Sequence, residues 1–291
     1  MSFDLSKIEY IDIHSHLQFQ SNEGDRSEVI KRMKENNIAT ICISTDTKES
    51  KLAKSLAEEN ENIFYSIGLH PADNKEEFYF ASENSEEYFS KLKNLFGEKC
   101  LCIGECGLDY FYLYKDLEAG KIRKEEFESE IEKQKKVFRE QIKLSIELNI
   151  PLMLHVRPSE LDKNKEDAYL DSIDILKNYE NLKGNFHFFV GTKNILKKIL
   201  EELPNFSVSI PAVCTFTNEY DEMIKSIPLD KIHIETDSPF VMPKSRRKEA
   251  KRNEPSFVIS VFEKICEIKE VENMEEFKKK LKENFKKMFL K

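Results

Sequence analysis

The sequence of 291 residues is 40% hydrophobic and 34% charged, with only eight glycines and nine prolines, which excludes a fibrous or low-complexity protein. A formal net charge of −8 argues against bulk attraction of nucleic acid, so attraction to a polyanion would have to be local. The apolar runs are too short to span a bilayer, and none near the start is typical of a secretion signal. We therefore expect a cytoplasmic protein with no membrane partner and with six reduced, mostly buried cysteines. Zinc binding by Cys100 and Cys102 is an alternative, but it lacks a second thiolate pair.

Eight short, nearly continuous apolar runs alternate with amphipathic segments, as parallel strands buried on both faces require. The predicted strands cover residues 10–14, 39–44, 62–70, 100–106, 150–156, 185–190, 205–210 and 231–235. Helices are predicted over 27–36, 48–60, 84–96, 124–148 and 272–291, and from near residues 171, 192, 217 and 255. Repeated strand–helix units in a chain of this length predict an α/β fold, a (β/α)8 TIM barrel that forms a single domain over residues 1–291.

Two features of this pattern leave alternatives open. A doubly wound open sheet also alternates strands and helices, but it usually has a glycine-rich turn after the first strand, where this chain has histidines. The lysine-rich final segment could lie on a membrane surface. An apolar stripe through Phe277, Leu281 and Phe285 is equally required of a helix that closes a barrel. We favour the barrel in both cases.

Histidines are concentrated at the predicted carboxyl ends of the strands, where barrel enzymes carry their catalytic groups. These strand ends carry His14, His16, His70, Glu105, His155, Arg157, His187 and Asp237. Each residue alone has an ordinary structural explanation, such as a satisfied buried histidine or a capping aspartate. Their convergence on one end of one barrel indicates a metal site. His233 lies lower on the eighth strand and is predicted to be structural.

The ligand set suits two divalent ions that share a carboxylate. Side chains two residues apart on a strand share a face, so His14 and His16 can bind the same ion. By the same rule, Asp12 lies on this face one step deeper and could orient one of these imidazoles. Four imidazoles and two carboxylates exceed the ligands of one open catalytic zinc and suit two ions about 3.5–4 Å apart. The predicted metal ligands are His14, His16 and Asp237 for the first ion, His155 and His187 for the second, and Glu105 as the bridge. Zinc, manganese, magnesium and iron all stay open.

Three features predict contacts with a phosphate group. Arg157 lies two residues beyond His155 and could clamp a phosphate or a leaving oxygen. His70 either contacts the substrate or caps the third strand against Pro71. The loop over residues 243–252 has six basic residues and one acidic residue, and it is either a solvated face or a phosphate contact beside the metals.

Eight motifs in the chain resemble the TatD family of metal-dependent deoxyribonucleases, within the amidohydrolase-like barrels. They are IDIHSHL, GLHP, GECGLDY, LHVR, HFFVG, ETDSPF, RNEP and ENFKKMF, in this order and over nearly the full length. The resemblance implies metal ligation by the six residues assigned above and hydrolysis of DNA phosphodiesters, often from the 3′ end. Some relatives are linked to removal of D-amino acids from tRNA. Cys106 stands where the family usually has an aliphatic residue, and Phe188 and Val190 stand where it usually has Cys and Ser. None of these departures removes a metal ligand, but they could alter contacts with the substrate.

We predict a hydrolase that cleaves nucleic-acid phosphodiester bonds with two metal ions, a deoxyribonuclease of the 3′-to-5′ exonuclease type that acts as a monomer. Water activated at the metals would attack phosphorus in line, with Asp237 as ligand and proton acceptor and Glu105 as bridging carboxylate. One alternative is a hydrolase of another ester or amide, such as a D-aminoacyl-tRNA deacylase or a small-molecule amidohydrolase. Many two-metal amidohydrolases bridge through a modified lysine on strand four, where this chain offers no lysine until Lys115. A second alternative is a nucleic-acid-binding or scaffold protein on an inactive barrel.

Overall fold

A computed structural model describes residues 4–19, 21, 24–161 and 163–290. Its eight strands are β1 (Tyr10–Ser15), β2 (Ile38–Cys42), β3 (Ile63–Ile67), β4 (Cys100–Asp109), β5 (Leu152–Arg157), β6 (Gly184–Phe186), β7 (Phe206–Ile210) and β8 (Ile232–Ile234). Neighbouring strands are parallel, and their order in the sheet is their order in the sequence. The His16 amide donates to Ser238 O (2.7 Å) and the Asp237 amide to His14 O (2.9 Å), which joins β1 to the segment after β8. The sheet thereby closes into the predicted (β/α)8 barrel.

Eleven α-helices lie within the described residues. They are α1 (Arg26–Glu35), α2 (Thr47–Glu59), α3 (Lys75–Glu83), α4 (Ser85–Lys93), α5 (Phe111–Glu118), α6 (Lys124–Leu148), α7 (Asp167–Leu176), α8 (Lys193–Glu202), α9 (Asp221–Ser226), α10 (Val258–Ile268) and α11 (Met274–Phe289). All eight strands belong to one barrel, and the extension of a single domain over residues 1–291 stays a prediction.

The sequence does not predict α3 and α5, and the helix predicted over 84–96 corresponds to the shorter α4. The Asn74 side chain accepts a hydrogen bond from the Glu77 amide (3.2 Å) at the start of α3. At the start of α5, Asp109 Oδ1 accepts hydrogen bonds from the Phe111 and Tyr112 amides (3.0 and 3.2 Å). Both helices are short and begin with side chain–backbone hydrogen bonds, which leave little trace in hydrophobic periodicity.

The amino-terminal end of the barrel is closed by an apolar layer. Its buried members include Ile11, Ile13, Ala39, Ile41, Phe64, Leu101, Met153, Phe285 and Phe289. The Phe285 ring of α11 lies 6.2 Å from the Phe64 ring of β3. The last helix therefore closes the barrel, as predicted for the final segment. His233 lies at this end, where its ring meets Phe289 edge-on at 5.8 Å.

Two further expectations concern the cysteines and membranes. All six cysteines are buried and free, as the reduced-thiol interpretation requires. Burial raises the pKa of Cys100 to about 12 and that of Cys102 well above its ordinary value, which disfavours the thiolate form that zinc needs. Among the described residues, no helix combines the length and apolarity needed to cross a membrane.

Extra residues in β1 and β4 change which side chains face the barrel interior. Three steps along β1, from Asp12 to Ser15, match two steps along β2. Similarly, three steps along β4, from Ile103 to Cys106, match two along β5. Each insertion is a β-bulge, which breaks the simple alternation of faces. His14 and Glu105 lie within these two bulges.

Candidate metal centre

Four atoms of predicted metal ligands meet at the carboxyl end of the barrel. The Nε2 atoms of His14 and His16 lie 3.3 Å apart. Glu105 Oε2 lies 3.5 Å from His14 Nε2 and 3.6 Å from His16 Nε2. Asp237 Oδ1 lies 3.6 Å and 3.3 Å from the same two nitrogens. All four residues are buried, so the group is a compact set of nitrogen and oxygen donors shielded from bulk water.

The other carboxylate oxygen of Glu105 faces a second pair of histidines. Glu105 Oε1 lies 2.8 Å from His155 Nδ1 and 2.7 Å from His187 Nε2. One carboxylate therefore contacts two separate groups of imidazoles, one through each oxygen. The structure brings together all six predicted ligands in this way.

Hydrogen bonds on the far side of the imidazoles leave lone pairs facing the centre. His16 Nδ1 lies 2.8 Å from the carbonyl oxygen of Ile43, and His155 Nε2 lies 2.9 Å from Asp109 Oδ2. Because a carbonyl oxygen accepts hydrogen bonds, the neutral His16 ring carries its proton on Nδ1. His155 lies between two carboxylates, and a cation held by Glu105 would leave the proton of this ring on Nε2, which faces Asp109. His16 Nε2 and His155 Nδ1 can then coordinate a cation. Buried imidazole and carboxylate donors with these tautomers fit divalent metal ions.

Glu235 supports His187 from below. Its Oε1 lies 3.5 Å from His187 Nδ1 and accepts a hydrogen bond from the Phe188 amide at 2.7 Å. The Ser209 hydroxyl donates to Oε2 of the same carboxylate. Phe188 has a φ of +47°, a left-handed conformation that is uncommon for a bulky residue. The bond to Glu235 holds this conformation next to the predicted ligand His187.

The electrostatics of the centre favour an ionised carboxylate among histidines. Burial raises the pKa of Glu105, but His187 and His14 outweigh burial and hold this pKa well below its ordinary value. Burial lowers the pKa of His14 to about 3. For His155, burial lowers the pKa, but hydrogen bonds with Asp109 and Glu105 outweigh it and raise the pKa to about 9. A buried anion with neighbouring imidazoles is a favourable environment for a cation.

Asp12 does not contact an imidazole, so this prediction was wrong. Its carboxylate accepts hydrogen bonds from the Thr236 amide (2.8 Å) and hydroxyl (2.6 Å), and from the His14 amide (3.3 Å). The bulge in β1 breaks the alternation that would have put Asp12 and His14 on one face. Asp12 instead joins β1 to the segment that leads to Asp237.

The loop after β8 is held by one buried amide. Asp237 and Val241 have φ values of +53° and +43°, and positive φ is a genuine outlier for a β-branched residue such as valine. Asn253, from the RNEP motif, donates through Nδ2 to the carbonyls of Thr236 (2.8 Å), Phe240 (2.7 Å) and Val241 (3.2 Å). These hydrogen bonds hold the loop in a backbone conformation that would otherwise be unfavourable.

Sequence reasoning missed the supporting roles of Asp109, Glu235 and Asn253. Asp109 and Asn253 lie in the GECGLDY and RNEP motifs, and Glu235 is the last residue of the predicted eighth strand. The available signal was a buried polar residue beside a strand end, because such a residue needs hydrogen-bond partners.

A cavity of about 480 Å³ opens above the centre, and both predicted substrate-binding residues, His70 and Arg157, line it. His70 Nδ1 accepts hydrogen bonds from the backbone amides of Ala72 (3.0 Å) and Asp73 (3.1 Å). The neutral ring therefore carries its proton on Nε2, which lies 3.8 Å from Glu105 Oε1. His70 holds the turn after β3 with one nitrogen and presents a donor to the centre with the other.

The predicted basic loop over residues 243–252 is partly engaged inside the protein. Arg246 donates to the Ser260 hydroxyl (2.9 Å) and to Glu249 (2.8 Å), and Arg252 pairs with Asp25. Among the described residues that line the cavity, Arg157 is the only lysine or arginine. Arg157 is therefore better placed than this loop to contact a phosphate.

Comparison with known proteins agrees with this geometry. The family described as TatD related DNase matches residues 11–290. The Bacillus subtilis protein named uncharacterized metal-dependent hydrolase YabD is 35% identical, over 96% of this chain and 98% of its own. The Erwinia amylovora protein named 3′-5′ ssDNA/RNA exonuclease TatD is 31% identical, over 88% of this chain and 90% of its own. A crystal structure of a TatD family hydrolase from Entamoeba histolytica has the same fold, with a TM-score of 0.75 and 24% identity over 97% of this chain and 98% of that one. The chain therefore belongs to the TatD-related deoxyribonuclease family and is a metal-dependent hydrolase.

Proposed function

We propose that the protein hydrolyses nucleic-acid phosphodiester bonds with two divalent ions, and that it acts on DNA as a 3′-to-5′ exonuclease. The proposal rests on the position of the Glu105 carboxylate, which faces a different pair of imidazoles with each of its two oxygens. Two cation sites below one cavity suit a phosphodiester, because attack and departure occur on opposite sides of phosphorus. The Erwinia amylovora relative is named for this activity.

The side chains divide into ligands and proton-handling groups. His14, His16 and Asp237 would hold one ion, His155 and His187 the other, and Glu105 both. Divalent ions bound at these positions would supply Lewis acidity and would neutralise charge on a phosphate. The Asp237 carboxylate lines the cavity and is positioned to accept the proton of attacking water. Glu105 stays a ligand.

Arg157 and His70 are the proposed substrate contacts. The guanidinium of Arg157 lines the cavity and offers paired N–H donors, which match the oxygens of a phosphate. His70 offers an Nε2–H donor from the segment after β3. These two groups stabilise negative charge on the phosphate as the bond to the leaving oxygen breaks.

The completeness of the site within one chain supports a monomeric enzyme, because all six ligands come from the same barrel. Six buried free thiols fit the reducing conditions of the cytoplasm. Light scattering on the purified protein tests the first point, and cell fractionation tests the second.

A hydrolase of another ester or amide is the competing function. The strand-four bridge is a glutamate, and no lysine lines the described part of the cavity. This favours phosphodiester cleavage over the amidohydrolases that bridge through a modified lysine.

The proposal is tested with single- and double-stranded DNA and RNA, labelled at the 3′ or the 5′ end. The protein is first stripped with chelator, and zinc, manganese, magnesium or iron is then restored singly. We expect metal-dependent shortening of DNA from the 3′ end. Glu105→Gln should abolish it, whereas Glu201→Gln, on an exposed position of α8, should not. Cleavage that survives chelation, or no cleavage with any metal, would contradict the proposal.

A further inference from the structure

Aromatic side chains stand on opposite sides of the cavity mouth. Phe19 follows β1 and Phe240 follows β8, and together they form the β8 aromatic pair. Phe111 and Tyr112 follow β4 and form the β4 aromatic pair, next to Arg157 at the end of β5. In a closed barrel with strands in sequence order, β8 and β1 lie across the mouth from β4 and β5. The ligand centre lies between the two pairs.

The β8 aromatic pair is in direct contact with a predicted metal ligand. Phe19 stacks on the His16 ring at 4.5 Å, and Phe240 meets His16 at 5.9 Å and Phe19 at 6.3 Å, edge-on in both cases. Phe240 is 49% exposed although it is a large apolar side chain. The bonds from Asn253 to the carbonyls of Phe240 and Val241 fix the backbone that presents this ring. An exposed ring on a fixed backbone is prepared for contact with a ligand.

The β4 aromatic pair is tied to the ligand on the opposite side. Asp109 Oδ1 accepts hydrogen bonds from the backbone amides of Phe111 and Tyr112, and Asp109 Oδ2 contacts His155. The Arg157 guanidinium lies 3.8 Å from the centre of the Phe111 ring and 5.0 Å from that of Tyr112. Tyr112 is 53% exposed. One carboxylate thus positions both a metal ligand and an aromatic surface at the mouth.

We propose that Phe240 and Tyr112 each stack one nucleobase, on either side of the scissile phosphate. The inference rests on the proposed function and adds two residues that position its substrate, with one base held on each side of the bond that is cut. Every nucleobase has a flat face that stacks on an aromatic ring, whatever the sequence. A paired end would first have to unstack and unpair before its bases could reach the two rings.

Abasic substitution tests the two contacts separately. Single-stranded DNA is prepared with one tetrahydrofuran abasic residue on the 3′ or on the 5′ side of the bond that is cut first. Loss of one stacked base should lower kcat/KM of the parental protein by about 5- to 150-fold at either position. Phe240→Ala should remove the sensitivity to one position and Tyr112→Ala the sensitivity to the other.

The control is Phe80→Ala, which removes a ring that is 39% exposed on α3 and does not line the cavity. This variant should keep the parental sensitivity to both abasic positions. Equal cleavage of natural and abasic strands by the parental protein would overturn this inference but not the proposed function. The inference would also be overturned if Phe240→Ala and Tyr112→Ala each lowered kcat/KM by the same factor on natural and on abasic strands. Failure to cut any nucleic acid with any metal would overturn the proposed function as well.

Discussion

The two ends of the barrel are built from the same eight strands but differ in chemistry. At the amino-terminal end, Phe285 and Phe289 close a layer of aliphatic side chains, and the histidine there, His233, meets a phenylalanine ring. At the carboxyl end, buried imidazoles and carboxylates face one another within 2.7–3.6 Å. In such barrels, the amino-terminal end serves the stability of the fold, and the carboxyl end carries the chemistry.

Irregular backbone accompanies the polar end. The bulges in β1 and β4 contain His14 and Glu105, and positive φ values occur at Phe188, Asp237 and Val241. Such features are costly and persist where surrounding bonds enforce them, as Glu235 and Asn253 do here. The comparison indicates that the apolar end stabilises a fold whose other end holds buried charge and strain. Substitutions at the two ends should therefore affect different properties.

The largest effect is expected from His155→Ala at the polar end. The substitution removes a proposed ligand from the second imidazole group, so we expect kcat/KM to fall by about 10³- to 10⁴-fold, through loss of several kcal/mol of charge stabilisation. Circular dichroism should show an intact barrel. His233→Leu, a histidine substitution at the other end, should retain activity. A folded His155→Ala protein that cuts DNA at the parental rate would show that His155 is not a ligand.

Phe285→Ala at the apolar end should have the opposite profile. The ring is fully buried, and its removal leaves a cavity in the inner layer, so we expect the free energy of unfolding to fall by about 3–5 kcal/mol. Denaturant titration measures this loss, with Phe80→Ala as the exposed control, expected within about 0.5 kcal/mol of the parent. The kcat of the folded fraction should not change. A lower kcat with unchanged stability would contradict the division between the ends.

Asp109→Asn should give an intermediate effect at the polar end. The amide is isosteric but uncharged, so it orients His155 less strongly, and we expect metal affinity and activity to fall about 10- to 100-fold. Competition with a chromogenic chelator measures the affinity, and saturating metal should restore part of the activity. A lower melting temperature with unchanged metal affinity would assign Asp109 to structure alone.

The smallest effect is a change in acid sensitivity from His233→Leu. Burial lowers the pKa of His233 to about 3, below the value of about 6.5 expected in the unfolded chain. Between these values the unfolded chain binds a proton that the folded protein does not, so stability present above pH 6.5 is lost as pH falls. As pH falls through this window, the free energy of unfolding of the variant should decrease by about 1 kcal/mol less per pH unit than that of the parent. Denaturant titrations at pH 7.5, 6.5 and 5.5 measure the difference, and parallel profiles would contradict it.

Sequence reasoning located the strand ends and therefore the six candidate ligands, because parallel strands in a barrel bring their carboxyl ends together. It failed for Asp12, since alternation along a strand predicts faces only while the register is regular. It also missed Asp109 as the start of α5, because that helix depends on hydrogen bonds to one carboxylate. Register shifts and local side chain–backbone bonds arise from tertiary contacts that a pattern of apolar residues does not record.

We propose that Glu105 joins two cation sites that are both needed for cleavage. The most direct measurement titrates the chelator-stripped protein with one metal and records, in the same samples, the bound metal per chain and the rate on 3′-labelled single-stranded DNA. We expect two equivalents to bind and the rate to rise mainly with the second. Full activity at one equivalent, or in the stripped protein, would contradict the account.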